Sequence, residues 1–319
     1  MMDYTAKLQS QFAVYREDRY SGRSSVFEDR PNKGPVVFRR EFSSENILVP
    51  PFLDNTIRQT IIDKIPVSQR HRWFGSLQSS QALAQSIFGT IAASGRLGLL
   101  SEIVAEDGFL AFGPLFVEAT LELEKSVTTL REPRPTSVDV WLEGSYKVAV
   151  ECKLSESEFG TCSRTKLSPK AVNFKEQFCD GTYTKQNSRD SNCSLTEIGV
   201  SYWQYLDDLL GWSSIVEHRP CPLSSTYQLV RNLLAVCVDE HGQMHTDIGH
   251  VLTIYDERNP SMAADGYANR QWNAVHTSLK SPNLLRKLSW QSLISQWPED
   301  RVLDWLEQEL AFKFGIQSD

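Results

Sequence analysis

The stretch KVAVECKLSE, residues 147–156, runs apolar and then sets a glutamate, a cysteine and a lysine in succession at its end. A period of two puts Val148, Val150, Cys152 and Leu154 on one face and Glu151 and Lys153 on the other, the pattern of a strand with one polar side. Acid-x-Lys occurs once in the chain, at Glu151-Cys152-Lys153, so its meaning depends on what its neighbours bring to it.

The preceding stretch, PTSVDVWLEG, reads as a strand with Val138, Val140 and Leu142 on its apolar face and Asp139 and Trp141 opposite. A three-residue loop Gly144-Ser145-Tyr146 pairs Glu143 with Lys147, Trp141 with Ala149 and Asp139 with Glu151. A two-residue loop pairs Asp139 with Val150 and mixes the faces, so the odd loop is favoured. It leaves two carboxylates side by side, with a lysine two residues on. Adjacent carboxylates repel unless a cation lies between them. Mg²⁺ commonly takes one or two carboxylates together with substrate phosphate and water. A nearby lysine can orient a metal-bound water, help lower its pKa, or offset charge on phosphorus.

PTSVDVWLEG followed by VAVECKLSE resembles the PD-(D/E)xK nuclease superfamily. The resemblance implies an α/β fold: a mixed central β-sheet flanked by helices, the restriction-endonuclease-like core. It also implies Mg²⁺ (or Mn²⁺) held by Asp139 and Glu151, with the backbone carbonyl of Cys152 turned toward the metal and Lys153 assisting the attacking water. The expected activity is hydrolysis of nucleic-acid phosphodiester bonds, with DNA ahead of RNA as partner and a homodimer as one assembly compatible with double-strand cutting. Looser similarity extends to SSQALAQSIFG, YQLVRNLLA, VLTIYDERNP and the closing helix. Val138 stands where the motif has proline, with Pro135 upstream. The opening helix carries Gln81 and Gln85 but no acid before Glu102; of Glu118, Glu122 and Glu124 on the first strand, Glu118 is the candidate for the additional acid. Gln228, with Arg231, is the candidate phosphate contact on the later helix, although Asn232 stands where the spacing Gln-x-x-x-Tyr would put tyrosine.

Elsewhere, residues 1–74 mix charges with Ser, Gly and Pro and read as an irregular arm packed on a nuclease-like domain of 75–319. Leu83, Ile87, Ile91 and Leu97 form a helical stripe behind an N-cap at Ser79 or Ser80. PLFVEATLELEKSV reads as the first of three successive antiparallel strands, and the long polar stretch to Asn192 as a functional or mobile loop. LTEIGVSYWQYLDDLLGW and STYQLVRNLLAVCVDE read as helices, DIGHVLTIYDE as a strand and PEDRVLDWLEQELAFKFG as a closing helix.

With 319 residues, 40% hydrophobic and 23% charged, the chain has the composition of a globular protein, and no apolar run is long enough to span a membrane. A cytoplasmic protein with reduced cysteines is expected. The net charge of -7 argues against bulk electrostatic coating of nucleic acid but leaves room for a local basic groove. Arg70, His71 and Arg72 beside Trp73 are either such a phosphate- and base-binding cluster or a solvated surface. Cys162, Cys179, Cys193 and Cys221 lack C-x-x-C spacing and read as scattered thiols in preference to zinc or iron-sulfur ligands. The competing function is a catalytically inactive nuclease-fold module that binds nucleic acid or a protein partner.

Overall fold

The computed structural model describes residues 3–29, 36–114, 118–133, 135, 137–162, 179, 193–214 and 220–318. Most of the polar stretch up to Asn192 lies outside them. Five strands form one sheet in the order β1 (Thr120–Ser126), β2 (Ser137–Glu143), β3 (Lys147–Cys152), β4 (Gly249–Tyr255) and β5 (Leu285–Ser289). The first three run antiparallel; β4 and β5 add in parallel, each after a helical crossover.

The β2–β3 hairpin has the odd loop. Glu143 pairs with Lys147 and Trp141 with Ala149, and the Gly144 N–H donates to the Tyr146 carbonyl at 3.2 Å. Tyr146 anchors this turn by lying against Gly113, where a Cβ would stand 2.6 Å from its ring and where φ is +64°. Glycine is required there on both counts. The Tyr146 hydroxyl also meets His250 Nδ1 at 3.2 Å, and His250 Nε2 meets the Ala111 carbonyl at 2.8 Å.

Two apolar layers sandwich the sheet. Val148, Val150, Cys152, Leu252 and Ile254 face a core completed by Leu83, Ile87, Phe88, Trp290 and the closing helix. Ala149, Val251 and Trp141 face a second core built on the helix Leu223–Cys237. Alternation along each strand thus serves two buried faces, which is why β3 and β4 carry almost no solvated residues.

Residues 1–74 contain helices at Tyr4–Tyr20 and Asn55–Asp63, so the arm is not irregular. Its charged composition hides a narrow stripe of Leu8, Phe12 and Tyr15, which packs on the closing helix Arg301–Phe314. The helix at Ser80–Ala84 is capped by Ser79, which accepts from Ala82 N at 3.2 Å, and continues through a π turn, Gln85–Gly89, before Thr90–Ala93. At that turn Gln85 Nε2 donates to the Ile61 and Ile62 carbonyls at 2.8 and 3.0 Å, satisfying groups the end of the Asn55–Asp63 helix leaves open. The expected helix at 195–212 is instead broken into short turns at Ser194–Glu197, Tyr202–Gln204 and Leu206–Leu209. Gly199, at φ +89°, ends the first of them.

Lys313 is fully buried in the closing helix, and its Nζ donates to the carbonyl and Oδ1 of Asn46 at 2.6 and 2.8 Å. Burial pushes its pKa down to about 7, with Glu309 acting weakly the other way. The unfolded chain keeps a lysine near 10.5 and binds the proton that the folded chain releases. This group's contribution to stability therefore rises with pH between 7 and 10.5 and is lost as pH falls back through about 7. Urea unfolding across that window should show wild type gaining up to about 1.4 kcal/mol per pH unit more than Lys313→Met. Parallel slopes for the two proteins would exclude a depressed lysine pKa.

Candidate active site

The hairpin register decides which side chains meet. Val140 faces Val150, so the next step along the ladder sets Asp139 opposite Glu151. On the other side, Leu123–Val140 and Lys125–Val138 bracket Glu124 and Asp139. Beyond β3, Glu151 pairs with Thr253 and Thr253 with Lys287. One polar level thus crosses the sheet: Glu124, Asp139, Glu151, Thr253 and Lys287.

The Leu223–Cys237 helix lies over this level and turns Gln228, Arg231 and Asn232 toward it, since residues three and four apart share a face. Gln228 Nε2 donates to Glu151 Oε1 at 2.7 Å, and Asn232 Nδ2 to Glu151 Oε2 at 2.9 Å. Lys153 Nζ stands 3.0 Å from Glu151 Oε1 and donates to Gln228 Oε1 at 3.1 Å. Asp139 Oδ2 accepts from the Cys152 N–H at 2.7 Å. Glu151 and Lys153 are 2% and 7% exposed, so both charges depend on these partners and not on water.

Downstream of Lys153, the chain is held by buried side-chain N–H donors. Asn259 Nδ2 donates to the Leu154 and Glu156 carbonyls at 3.1 and 2.9 Å, and Trp290 Nε1 to the Lys153 carbonyl at 2.9 Å. Glu156 accepts from Ser80 Oγ at 2.6 Å and thereby ties this segment to the start of the Ser80–Ala84 helix.

The neighbouring carboxylates act on Asp139 and Glu124. Asp139 keeps part of its surface accessible, yet its carboxyl group is desolvated. Desolvation first, then the charges of Glu151 and Glu124, raise its pKa well above the usual range. Glu124 is raised mainly by burial, with Glu151 adding to it, against hydrogen bonds from Ser137 and Gln81. Burial alone would depress Lys153, but Glu151, Glu156 and Asp139 more than offset it and its pKa is raised. Lys153 is therefore a cation throughout the neutral range.

Glu124 has a backbone φ of +54°, a conformation that costs a non-glycine residue about 1–3 kcal/mol and is typically retained at functional sites. Beside Glu151, the Thr253 hydroxyl is buried with no hydrogen-bond partner among the described residues. Clustered carboxylate oxygens and an unsatisfied hydroxyl are the donor chemistry of a hard divalent ion. Among the described residues no group of three or more His, Cys, Asp or Glu is arranged as a ready metal cage. Mg²⁺, which commonly uses one or two protein carboxylates and completes its shell with water and phosphate, does not require one.

A family model described as restriction endonuclease associating with ARP matches residues 6–315. The chain belongs to this family. Its mixed sheet flanked by helices is a restriction-endonuclease-like core, and its family is one of nucleases. Searches of curated proteins and of solved structures give no match. Among the described residues no helix is long and apolar enough to cross a membrane.

In this restriction-endonuclease family member, Asp139, Glu151, Lys153 and Gln228 converge, whereas Glu118 does not join them. Glu118 is exposed in a turn before β1, which starts only at Thr120, opposite Glu143 at the far end of the hairpin. The strand from Thr120 to Glu124 alone spans roughly 13 Å and keeps Glu118 away from the cluster. Glu124, not Glu118, stands level with Asp139 and Glu151, and the break in strand geometry at that position has no signature in the sequence. The Cys152 amide faces Asp139, while its thiol is buried in the core on the opposite face. Arg231 is not on an exposed turn. It is buried, donating to the Ser137 carbonyl at 3.0 Å and to Asn232 Oδ1 at 2.6 Å.

Asn232 stands where the spacing Gln-x-x-x-Tyr would put tyrosine. Fully buried, it spends its oxygen on Arg231 and its amide on Glu151. Asn232→Ala leaves Glu151 Oε2 and Arg231 short of partners, at a cost of about 1–3 kcal/mol. Urea unfolding should show a lower midpoint with an unchanged slope; an unaltered midpoint would mean that Asn232 contributes nothing to holding the carboxylate.

Cys162, Cys179, Cys193 and Cys221 are thiols. Cys162 N donates to the Ser224 carbonyl at 3.1 Å, just beyond Cys221, and Cys193 and Cys221 share the second core. Burial pushes Cys221 up to about 12, and Cys193, Cys179 and Cys162 add to the effect.

Proposed function

We propose that this chain is a PD-(D/E)xK-type nuclease that hydrolyses phosphodiester bonds in DNA, with Mg²⁺ or Mn²⁺ held by Asp139 and Glu151. The observation that carries the reading is Lys153 Nζ, 3.0 Å from Glu151 and bridged to it again through Gln228, beside the Asp139 carboxyl. The bound ion would supply Lewis-acid polarisation of the phosphate and of a water.

The chain's own residues do the rest. Gln228 and Asn232 fix the Glu151 carboxylate in one orientation. The Cys152 N–H does the same for Asp139. Lys153, charged at neutral pH, is a donor; it can orient the attacking water and offset negative charge building on phosphorus, but it cannot take a proton. All three roles open to the lysine, orienting the water, lowering its pKa and offsetting charge on phosphorus, are ones a cation fills. Glu124 adds negative charge that favours cation binding at Asp139 and Glu151. The family description also names an association with ARP, and we extend that association to this chain as part of the proposal.

The test is incubation of the purified protein with DNA and RNA of several forms, with Mg²⁺ or Mn²⁺, beside Glu151→Ala and Lys153→Ala. Cleavage by wild type that is lost in both variants supports the reading. Equal activity in all three proteins sinks the site assignment. Calorimetry showing no Mg²⁺ or Mn²⁺ binding at millimolar levels, with intact nucleic-acid binding, would favour the inactive module.

A further inference from the structure

The basic cluster at residues 70–73 is built into a cavity. Its volume is about 500 Å³, and its lining includes Phe38, Phe74, Arg40, Arg72, Trp73 and Glu28. Phe38 and Phe74 are buried and form the floor, while Trp73 is 45% exposed. Arg72 lies over the Trp73 ring at 5.0 Å. Arg70 is part of the wall: its guanidinium donates to the Ile62 carbonyl at 2.7 Å and to Ser44 Oγ at 2.8 Å, and sits 4.6 Å over Phe74. Arg40 and Arg72, both exposed, remain at the rim. In a chain of charge -7, three arginines against one carboxylate make this lining locally basic.

This cavity is wired to the carboxylates. Trp73 N donates to His71 Nδ1 at 2.9 Å, so that ring nitrogen is the acceptor and Nε2 carries the proton toward Ser79 Oγ, 3.1 Å away. The His71 N–H donates to Gln81 Oε1 at 3.0 Å, and Gln81 lies close enough to Glu124 to favour its ionised form. The exposed indole is thus two side chains, His71 and Gln81, from the acidic level of the sheet.

We infer that this cavity is a nucleobase site: a base of the substrate strand, neighbouring the scissile phosphodiester, stacks on Trp73 while Arg40 and Arg72 hold the flanking phosphates. An aromatic face beside cations, over an apolar floor, matches the flat ring and anionic backbone of a nucleotide, and the volume suits a small planar ligand. Stacking is tolerant of sequence, so the site reads the presence of an unpaired base and not its identity. The inference rests on the nuclease reading for its account of what lies next door.

Fluorescence anisotropy of a short labelled single-stranded oligodeoxynucleotide in EDTA tests it without cleavage. Trp73→Ala should weaken binding roughly tenfold, and Trp73→Phe should keep most of the affinity. An oligonucleotide with abasic positions should bind wild type as weakly as the intact one binds Trp73→Ala, with no further loss on that variant. Wild-type affinity in Trp73→Ala, or equal binding of intact and abasic strands by wild type, overturns the base site. So does a phosphopeptide that competes as well as the oligonucleotide. The two readings fail separately. Cleavage that depends on Lys153 but binding indifferent to Trp73 removes the base site alone. Trp73-dependent binding without any cleavage leaves the base site and removes the reaction beside it. Thermal unfolding of Trp73→Ala, at a half-exposed position, checks that the fold is kept.

Discussion

Lys153→Ala is expected to lower the rate constant for phosphodiester cleavage by about 10²–10³-fold, the usual effect of removing one preorganised donor from a transition-state charge. The fold should survive. Glu151 keeps the amides of Gln228 and Asn232, so the carboxylate left behind is not stripped of partners. Lys153→Arg should restore little. The lysine is a compact point charge fitted between Glu151, Gln228 and the Phe159 ring, 5.2 Å from its Nζ, and a planar guanidinium presents its donors elsewhere. Single-turnover cleavage with saturating Mg²⁺ separates this loss from weaker binding. A wild-type rate constant in Lys153→Ala would remove the lysine from the chemistry whatever became of the rest of the site.

Asp256→Ala should cost about 3 kcal/mol of stability, the low end of the range for breaking a buried ion pair. Asp256 follows β4 and is fully buried, with Arg258 Nη2 at 2.6 Å, Gln291 Nε2 at 2.8 Å and the Tyr4 hydroxyl at 2.9 Å on its carboxylate. Arg258 also donates to the Phe314 carbonyl at 2.9 Å. One carboxylate therefore joins the amino-terminal helix, the sheet and the end of the closing helix. Its removal leaves the Gln291 amide and the Tyr4 hydroxyl buried without that acceptor. Arg258 is partly exposed and can turn to water, which holds the cost at the low end. Equilibrium unfolding in urea reads the change; a loss under about 1 kcal/mol would mean that the hub is replaceable by solvent.

Much of the fold follows from local sequence. Val148, Val150, Cys152 and Leu154 alternate with Ala149, Glu151 and Lys153, and a period of two admits only one way to bury the first set. Face matching across Gly144-Ser145-Tyr146 then selects the odd loop, because the even one would bring apolar and polar faces together. Asp300 before Arg301 and Gly315 after Phe314 bound the closing helix by capping chemistry alone: Asp300 accepts from Val302 N at 2.8 Å, and Gly315 takes the left-handed φ of +68°. The amino-terminal helix was hidden because its apolar stripe is narrow and its composition highly charged, and only the closing helix makes that stripe worth burying.

The candidate site divides in the same way. Asp139, Glu151 and Lys153 lie on two consecutive strands, so local pairing brings them together and their sequence announces them. Glu124 stands beside Asp139 with a left-handed backbone in β1, and nothing in LELEKSV marks it over Glu122, which instead pairs with Lys125 at 2.7 Å on the exposed side. Gln228 and Asn232 come from a helix some 75 residues beyond Lys153, and their amides acquire a role only when that helix docks over β3. KVAVECKLSE by itself determined the strand, its polar face and the identity of its charged pair, because a two-residue period is a property of the chain. Which atoms surround that pair was decided only in three dimensions, because buried charges take their partners from whatever elements the two cores press against the sheet.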